Sequence, residues 1–134
     1  PVLLNPLQNL PSDFDRLGSR LDNAALLQRA GVRIGFLSDG SHNARKVRQH
    51  AGNAVAHGLP WEEGLAAITS APADMFGLGA TRGRIATGQF ADLVLWSGDP
   101  LEVTTVAEQV WIGGRAMEMT SRQTELRDRY LRRD

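Results

Sequence analysis

Val32-Arg33-Ile34-Gly35-Phe36-Leu37-Ser38-Asp39-Gly40-Ser41 decides how the first half of this chain folds. Its first six residues make an apolar-leaning run of strand length, interrupted by Arg33 and Gly35, and the last four are turn residues. Upstream of it, Asp22 is placed to N-cap a helix over Asn23 to Ala30, which Gly31 closes. Further upstream, Asn5-Pro6 through Gly18 reads as a long turn-rich loop, and Val2 to Leu4 as a first strand. Downstream, Ser41 or His42 caps a helix running to about His57, with Ala44, Val47, Ala51, Ala54 and Val55 on its buried side and Gly58 as its stop. Strand, loop, helix, strand, helix is the alternation of βα units around a parallel sheet.

Beyond Gly58, Pro60 suits the first position of another helix, Glu62 and Glu63 complement its positive end, and Trp61, Leu65 and Ile68 share a face. Thr69 to Leu78 continues as a helix broken around Pro72. The chain then changes character. From Gly79 to Met119 the segments are short and rich in glycine and β-branched residues, with strands expected at Arg84 to Ala86, Leu93 to Trp96, Gln109 to Ile112 and Arg115 to Met119. Gly113-Gly114 is a two-residue hairpin signal, so this part reads as a small antiparallel unit. Thr120 with Gln123 resembles a capping box for a last, charged helix in which Leu126 and Tyr130 share a face. Three regions follow: residues 1–78 as βα units with a connecting helix, 79–119 as the β-unit, and 120–134 as the terminal helix.

With 15 basic and 15 acidic residues, the chain has no excess field to hold a phosphate backbone or an anionic bilayer, so neither nucleic acid nor membrane is an expected partner. The lack of cysteine excludes disulfides and thiolate metal sites and leaves the compartment open between cytoplasmic and exported. No apolar run approaches the roughly 20 residues of a membrane span, and the chain reads as soluble. The opening Pro1-Val2-Leu3-Leu4 is already strand-like, which reads as a chain entered in its middle.

Asp39 is the first candidate for chemistry. A carboxylate just after a strand, followed by Gly40 for a sharp turn, sits where α/β barrels carry their catalytic groups, and it can ligate a metal and accept a proton from metal-bound water. Position alone leaves open a second role, capping the next helix or bonding its own loop. His42 follows in the same loop and can face the same space as a substrate contact, with a helix-start role as the alternative. His50 and His57 lie seven residues apart on one expected helix, a rise of roughly 10 Å, whereas two ligands of one zinc each approach within about 2 Å of it. Surface or interhelical hydrogen bonding is expected of both. Ser38 and Ser41 flank the aspartate without a Gly-x-Ser-x-Gly elbow or a paired base, and the glycines around Gly77-Leu78-Gly79 do not follow a strand-to-helix phosphate loop. Trp61, Trp96 and Trp111, without a basic stripe, read as packing residues.

The run Gly83-Arg84-Ile85-Ala86-Thr87-Gly88-Gln89-Phe90-Ala91-Asp92-Leu93-Val94-Leu95-Trp96-Ser97-Gly98-Asp99-Pro100-Leu101 closely resembles the C-terminal signature of the amidohydrolase superfamily, and Val110-Trp111-Ile112-Gly113-Gly114-Arg115 the strand and turn after it. Ala67-Ile68-Thr69-Ser70-Ala71-Pro72-Ala73 looks like the helix between barrel and β-domain in that family. Asn5-Pro6-Leu7, Leu21-Asp22-Asn23-Ala24, Leu37-Ser38-Asp39 and His42-Asn43-Ala44-Arg45 are most similar to the imidazolonepropionase-related subgroup. The resemblance implies an α/β fold: the last βα units of a distorted TIM barrel plus part of a small β-sandwich, a fragment of a larger fold. It implies a divalent metal, zinc, with Asp39 as metal ligand and general base, and hydrolysis of a non-peptide C–N bond, amide or cyclic amidine, in a small-molecule substrate. The family's His-x-His, its middle lysine or carboxylate and its later metal histidines have no counterpart here. The expected partner is therefore the remainder of the amidohydrolase chain or a partner subunit, with a homo-oligomer also open, and the chain alone is expected to be inactive. The competing reading is a non-catalytic association module without a metal site.

Overall fold

The computed structural model describes residues 1–38 and 40–131, with the backbone alone for Ser41. Two sheets divide the chain. Strands β1 (Val2–Leu4) and β2 (Ile34–Phe36) run parallel, with Val2 opposite Ile34 and Leu4 opposite Phe36, as the βα alternation requires. Helix α1 (Asn23–Arg29) makes the crossover. Past β2 come a 3-10 helix over Ser41–Lys46 and α2 (Val47–Ala56), in place of one continuous helix to His57. Then follow α3 (Trp61–Ala66) and α4 (Ser70–Met75). Strands β3 (Leu93–Trp96), β4 (Ala107–Ile112) and β5 (Arg115–Ala116) form the antiparallel sheet, and α5 (Arg122–Leu131) follows. The architecture is mixed α/β. Among the described residues no helix is long and apolar enough to cross a membrane.

Several local expectations shift for identifiable reasons. Asp22 stands at the N-cap position of α1, but its carboxylate takes a two-pronged bond from Arg20 (2.8 and 2.7 Å) and does not cap the helix. Pro60 precedes α3 as its N-cap residue. The helix break lies at Thr69 (φ −131°, ψ −89°), and Pro72 falls in the first turn of α4, where a missing N–H costs nothing. Arg84 to Ala86 is not a strand. The guanidinium of Arg84 forks onto Asp74 (2.9 and 2.7 Å) and the Arg84 backbone N–H donates to Gln89 Oε1, holding the segment as a turn-rich crossing. The terminal capping box forms one residue later than Thr120 and Gln123. Ser121 Oγ accepts from Thr124 N–H (3.2 Å), while Thr124 Oγ1 accepts from Ser121 N–H (2.8 Å). Gly113 and Gly114, at φ 57° and 79°, supply the two left-handed residues of a tight hairpin as expected.

The core is built largely from small residues: Ala24, Ala25, Ala51, Ala54 and Ala67 are buried together with Ile34, Phe36, Leu59 and Leu101. Alanines let α1, α2 and the end of α3 approach the short sheet closely, but each buries little apolar area. Among the described residues, Leu101 is the one core residue from beyond the helical half. The loop carrying it crosses α2, where a methyl group at Gly52 would land on the Leu101 carbonyl oxygen. Arg48, one turn earlier on α2, donates to the carbonyl oxygens of Pro100 (3.2 Å), Glu102 (2.7 Å), Val103 (3.4 Å) and Thr105 (2.9 Å) and to Thr105 Oγ1 (3.1 Å). Its guanidinium also lies 4.7 Å from the Trp96 ring centroid. One side chain thus ties the helical half to the β-unit.

Gly52→Ala is expected to destabilise the protein by about 1–3 kcal/mol in chemical denaturation, because the neighbour it meets is backbone and cannot swing aside. A second outcome concerns acid. The Arg84 guanidinium holds the Asp74 carboxyl below the usual carboxylate range. The stabilisation from this pair is present above that range and is lost as pH falls through the lowered folded-state value. Arg84→Gln should therefore flatten the loss of denaturation midpoint measured on acidification below about pH 4.

Candidate functional site

The two parallel strands leave the sheet at the same end, so the segments after Leu4 and after Phe36 are neighbours there. The backbone N–H of Leu37 donates to Leu4 O (3.0 Å), which carries the pairing one residue past β2. Ser38 Oγ then donates to Gly40 O (3.3 Å), and Asn43 N–H donates to the same carbonyl (2.9 Å), closing the loop onto the start of the 3-10 helix. Asp39, the catalytic and metal-ligating candidate, lies outside the described residues. Its two neighbours and the ends of both strands frame its place in the chain.

Gly40 has a reason to be glycine that differs from the expected sharp turn. Its backbone is extended (φ −165°, ψ 151°), a conformation open to any residue. What a side chain would meet is the imidazole of His42: a Cβ on Gly40 would stand 2.8 Å from His42 Cε1 and 3.0 Å from Nδ1. His42 therefore folds back over the loop that carries Asp39 instead of pointing away along the helix, and it is exposed. Gly40, ahead of both Ser41 and His42, stands at the N-cap position of the 3-10 helix.

The other histidines part company. His57, at the end of α2, bonds through Nδ1 to the Asn53 carbonyl (2.7 Å) and is a surface group of its own helix. His50 is buried at 4% exposure, the one buried polar or charged residue among those described, so it belongs to the interior and not to the surface. Asn5, directly after β1, has its side-chain oxygen buried. Sequence reading takes Asn5 as the start of a loop and as part of the Asn5-Pro6-Leu7 resemblance, without a role for its side chain; an amide ahead of proline at the carboxyl end of a parallel strand is the signal available. Among the described residues no group of three or more His, Cys, Asp or Glu side chains could hold a metal ion.

The signature residues of the second half turn out to be structural. Asp92 pairs with Arg82 and accepts the Gly113 N–H (2.8 Å), pinning the hairpin turn, while Arg82 lies 4.4 Å from the Phe90 ring centroid. Asp99 accepts the Leu101 N–H (2.8 Å) with one oxygen and the Trp61 indole N–H (2.8 Å) with the other, which fixes the loop that delivers Leu101 to the core. Gln89 donates to Gly79 O (3.0 Å). None of these groups stands at the carboxyl end of β1 and β2.

Comparison with known proteins places this geometry. Residues 11–117 match the sequence profile of the amidohydrolase family. Amidohydrolase tasK of Hapsidospora irregularis is 45% identical over 74 residues, which cover 55% of this chain and 8% of that protein. The crystal structure of an amidohydrolase from Thermotoga maritima MSB8 superposes with a TM-score of 0.78 at 30% identity, over 88% of this chain and 31% of the other. A further amidohydrolase crystal structure gives a TM-score of 0.60 at 27% identity, over 80% of this chain and 28% of that one. The chain thus spans less than a third of each of these relatives. With the profile match running through both the helical half and the β-unit, the chain belongs to the amidohydrolase family of hydrolytic enzymes.

Proposed function

We propose that this chain is the C-terminal part of a metal-dependent amidohydrolase, closest to the imidazolonepropionase-related subgroup, which hydrolyses a non-peptide C–N bond in a small amide or cyclic amidine. In this reading β1, β2 and their helices are the last βα units of a distorted TIM barrel, and residues 79–119 are part of a small β-sandwich. The observation that carries it is the loop after β2. There His42 bends back over Gly40, so an ionisable ring and the Asp39 position occupy one short segment at the carboxyl end of parallel strands, where such folds carry their chemistry.

The exposed surface supports the remainder of the chain, or a partner subunit, as the missing part. A compact protein of 14.6 kDa exposes about 6,900 Å² by the usual scaling with mass. This chain exposes 9508 Å². The excess is on the scale of an obligate interface. Where β3 pairs with the second half of β4, apolar residues lie on both faces of the sheet, since Leu93 and Leu95 alternate with Val94, and Trp111 with Val110 and Ile112. An apolar patch on both faces suits a sheet covered on both sides.

The described residues do not complete a metal site, so a divalent metal, zinc in this reading, would take Asp39 from here and its other ligands from the missing part. When bound, such a metal polarises the scissile group and makes water acidic enough to ionise near neutral pH. The role left to this chain is proton transfer: the Asp39 carboxylate takes the proton of the attacking water and hands it to the leaving nitrogen, with His42 contacting the substrate. The second reading, a non-catalytic association module, draws on that same incomplete donor set.

In the full-length protein, Asp39→Asn is expected to lower kcat by at least about 100-fold with circular dichroism and melting temperature unchanged. Full activity in that variant would sink the assignment. Metal analysis of the same preparation separates the two readings, because full-length protein free of divalent metal after expression in metal-supplemented medium favours the association module.

A further inference from the structure

We infer that Asn5 is a positioning residue of this site, its side-chain amide holding the loop that carries Asp39 from the β1 side; the inference rests on the metal-hydrolase reading above. The Leu37 N–H donates to Leu4 O (3.0 Å), so the pairing of the two strands runs past β2 and sets Asn5 beside Leu37. Parallel neighbours lie about 4.8 Å apart, within the reach of one side chain. Position 39 is one peptide from Ser38 and one from Gly40, about 3.8 Å between Cα atoms in each case.

Asn5 is itself fixed. Its backbone is extended (φ −116°, ψ 90°), its carbonyl accepts the Gln8 N–H (3.1 Å), and Pro6 is buried in a 3-10 turn that packs against α2. An extended residue continues the alternation of β1, which sets Asn5 on the face of Leu3 and Gly35, opposite the face on which Ile34 and Phe36 meet the helices. In a βα barrel the face turned from the helices is the interior. The side-chain oxygen of Asn5 is buried at this place, and enclosing an amide is costly unless its hydrogen bonds are made, so the group is a built part of the site's surroundings.

The polar side chains on the loop itself are less suited to the task. Ser38 donates its hydroxyl to Gly40 O (3.3 Å), and His42, over Gly40, is exposed. An amide carries donors and an acceptor together, so its NH2 can hold one oxygen of a carboxylate while its own oxygen takes a backbone N–H of the same loop. Ligating carboxylates are oriented by such partners, whose loss costs roughly tenfold to a hundredfold in metal affinity or activity.

The test is zinc affinity, measured by competition with a chromophoric chelator, in the full-length protein and in Asn5→Ala, Asp39→Asn and the double variant. Asn5→Ala should bind zinc about tenfold or more weakly, whereas in the Asp39→Asn background the same change should cost less than about twofold, because its effect passes through that carboxylate. Asn5→Asp keeps the size, loses the donor and adds a like charge, and should weaken zinc at least as much. Unchanged affinity in Asn5→Ala overturns the inference, as does an equal loss in both backgrounds. Failure of both Asn5 variants to fold overturns it too, by assigning the residue to folding alone. A wild type that binds no zinc, or an Asp39→Asn variant that binds it as tightly as wild type, would instead remove the metal-hydrolase reading, and this inference with it.

Discussion

The descent of Leu101 into the groove between α2 and α3 is the contact on which the rest of this structure depends. The core it joins is otherwise made mostly of alanines and a few residues of β2, so one leucine adds a large share of its apolar area. Getting it there requires backbone to lie against backbone, which Gly52 permits, and it leaves a run of carbonyl groups from Pro100 to Thr105 turned toward α2. Arg48 answers several of these with one planar group of five donors, a task for which a lysine ammonium lacks the geometry. Asp99 holds the other shoulder of the loop through Trp61. Because these bonds join α2 and α3 to the segment leading into β4, they set the helical half and the antiparallel sheet as one unit.

That constraint also orders the candidate site. Helix α2 continues directly from the 3-10 helix that begins at Ser41, so a fixed α2 holds the downstream end of the Asp39 loop. The upstream end is held by the pairing of β1 with β2 and by the Leu37 bond to Leu4. Two-sided support of that loop is what the role proposed for Asp39 calls for, since misplacement by about an ångström is costly to catalysis. In the function proposed above, the remaining exposed surface, large for the mass, is where this unit packs against the rest of the protein.

Much of the fold was legible along the chain. The apolar run ending at Leu37, the glycines at positions 31 and 58 and the Gly113-Gly114 pair each carry a local signal strong enough to survive folding, and the parallel and antiparallel halves follow from them. Where the reading slipped, a competing side-chain partner had intervened. Asp22 is drawn from its helix by Arg20, and Arg84 leaves the strand pattern to meet Asp74. The capping box moves by a residue because Ser121 and Thr124 can satisfy each other reciprocally. Of the site, the sequence marked Asp39 and His42 through their place after a strand. It could not show that Gly40 makes room for the His42 ring, because that depends on a side-chain direction and not on spacing.

By itself, then, the sequence determined the order and kind of most of the elements, the family resemblance, and the loop in which an acid and a histidine sit three residues apart. Periodicity, turn residues and motif spacing are local properties, and they can be read without knowing what packs on what. Only the tertiary structure decided that Arg48 helps tie the two halves together, that His50 is interior while His57 is not, and that Asp92 and Asp99 of the signature hold loops in place. Those roles arise from contacts between residues far apart in the chain. Their free energy comes from burial and from satisfying backbone groups that become enclosed only once the chain has folded.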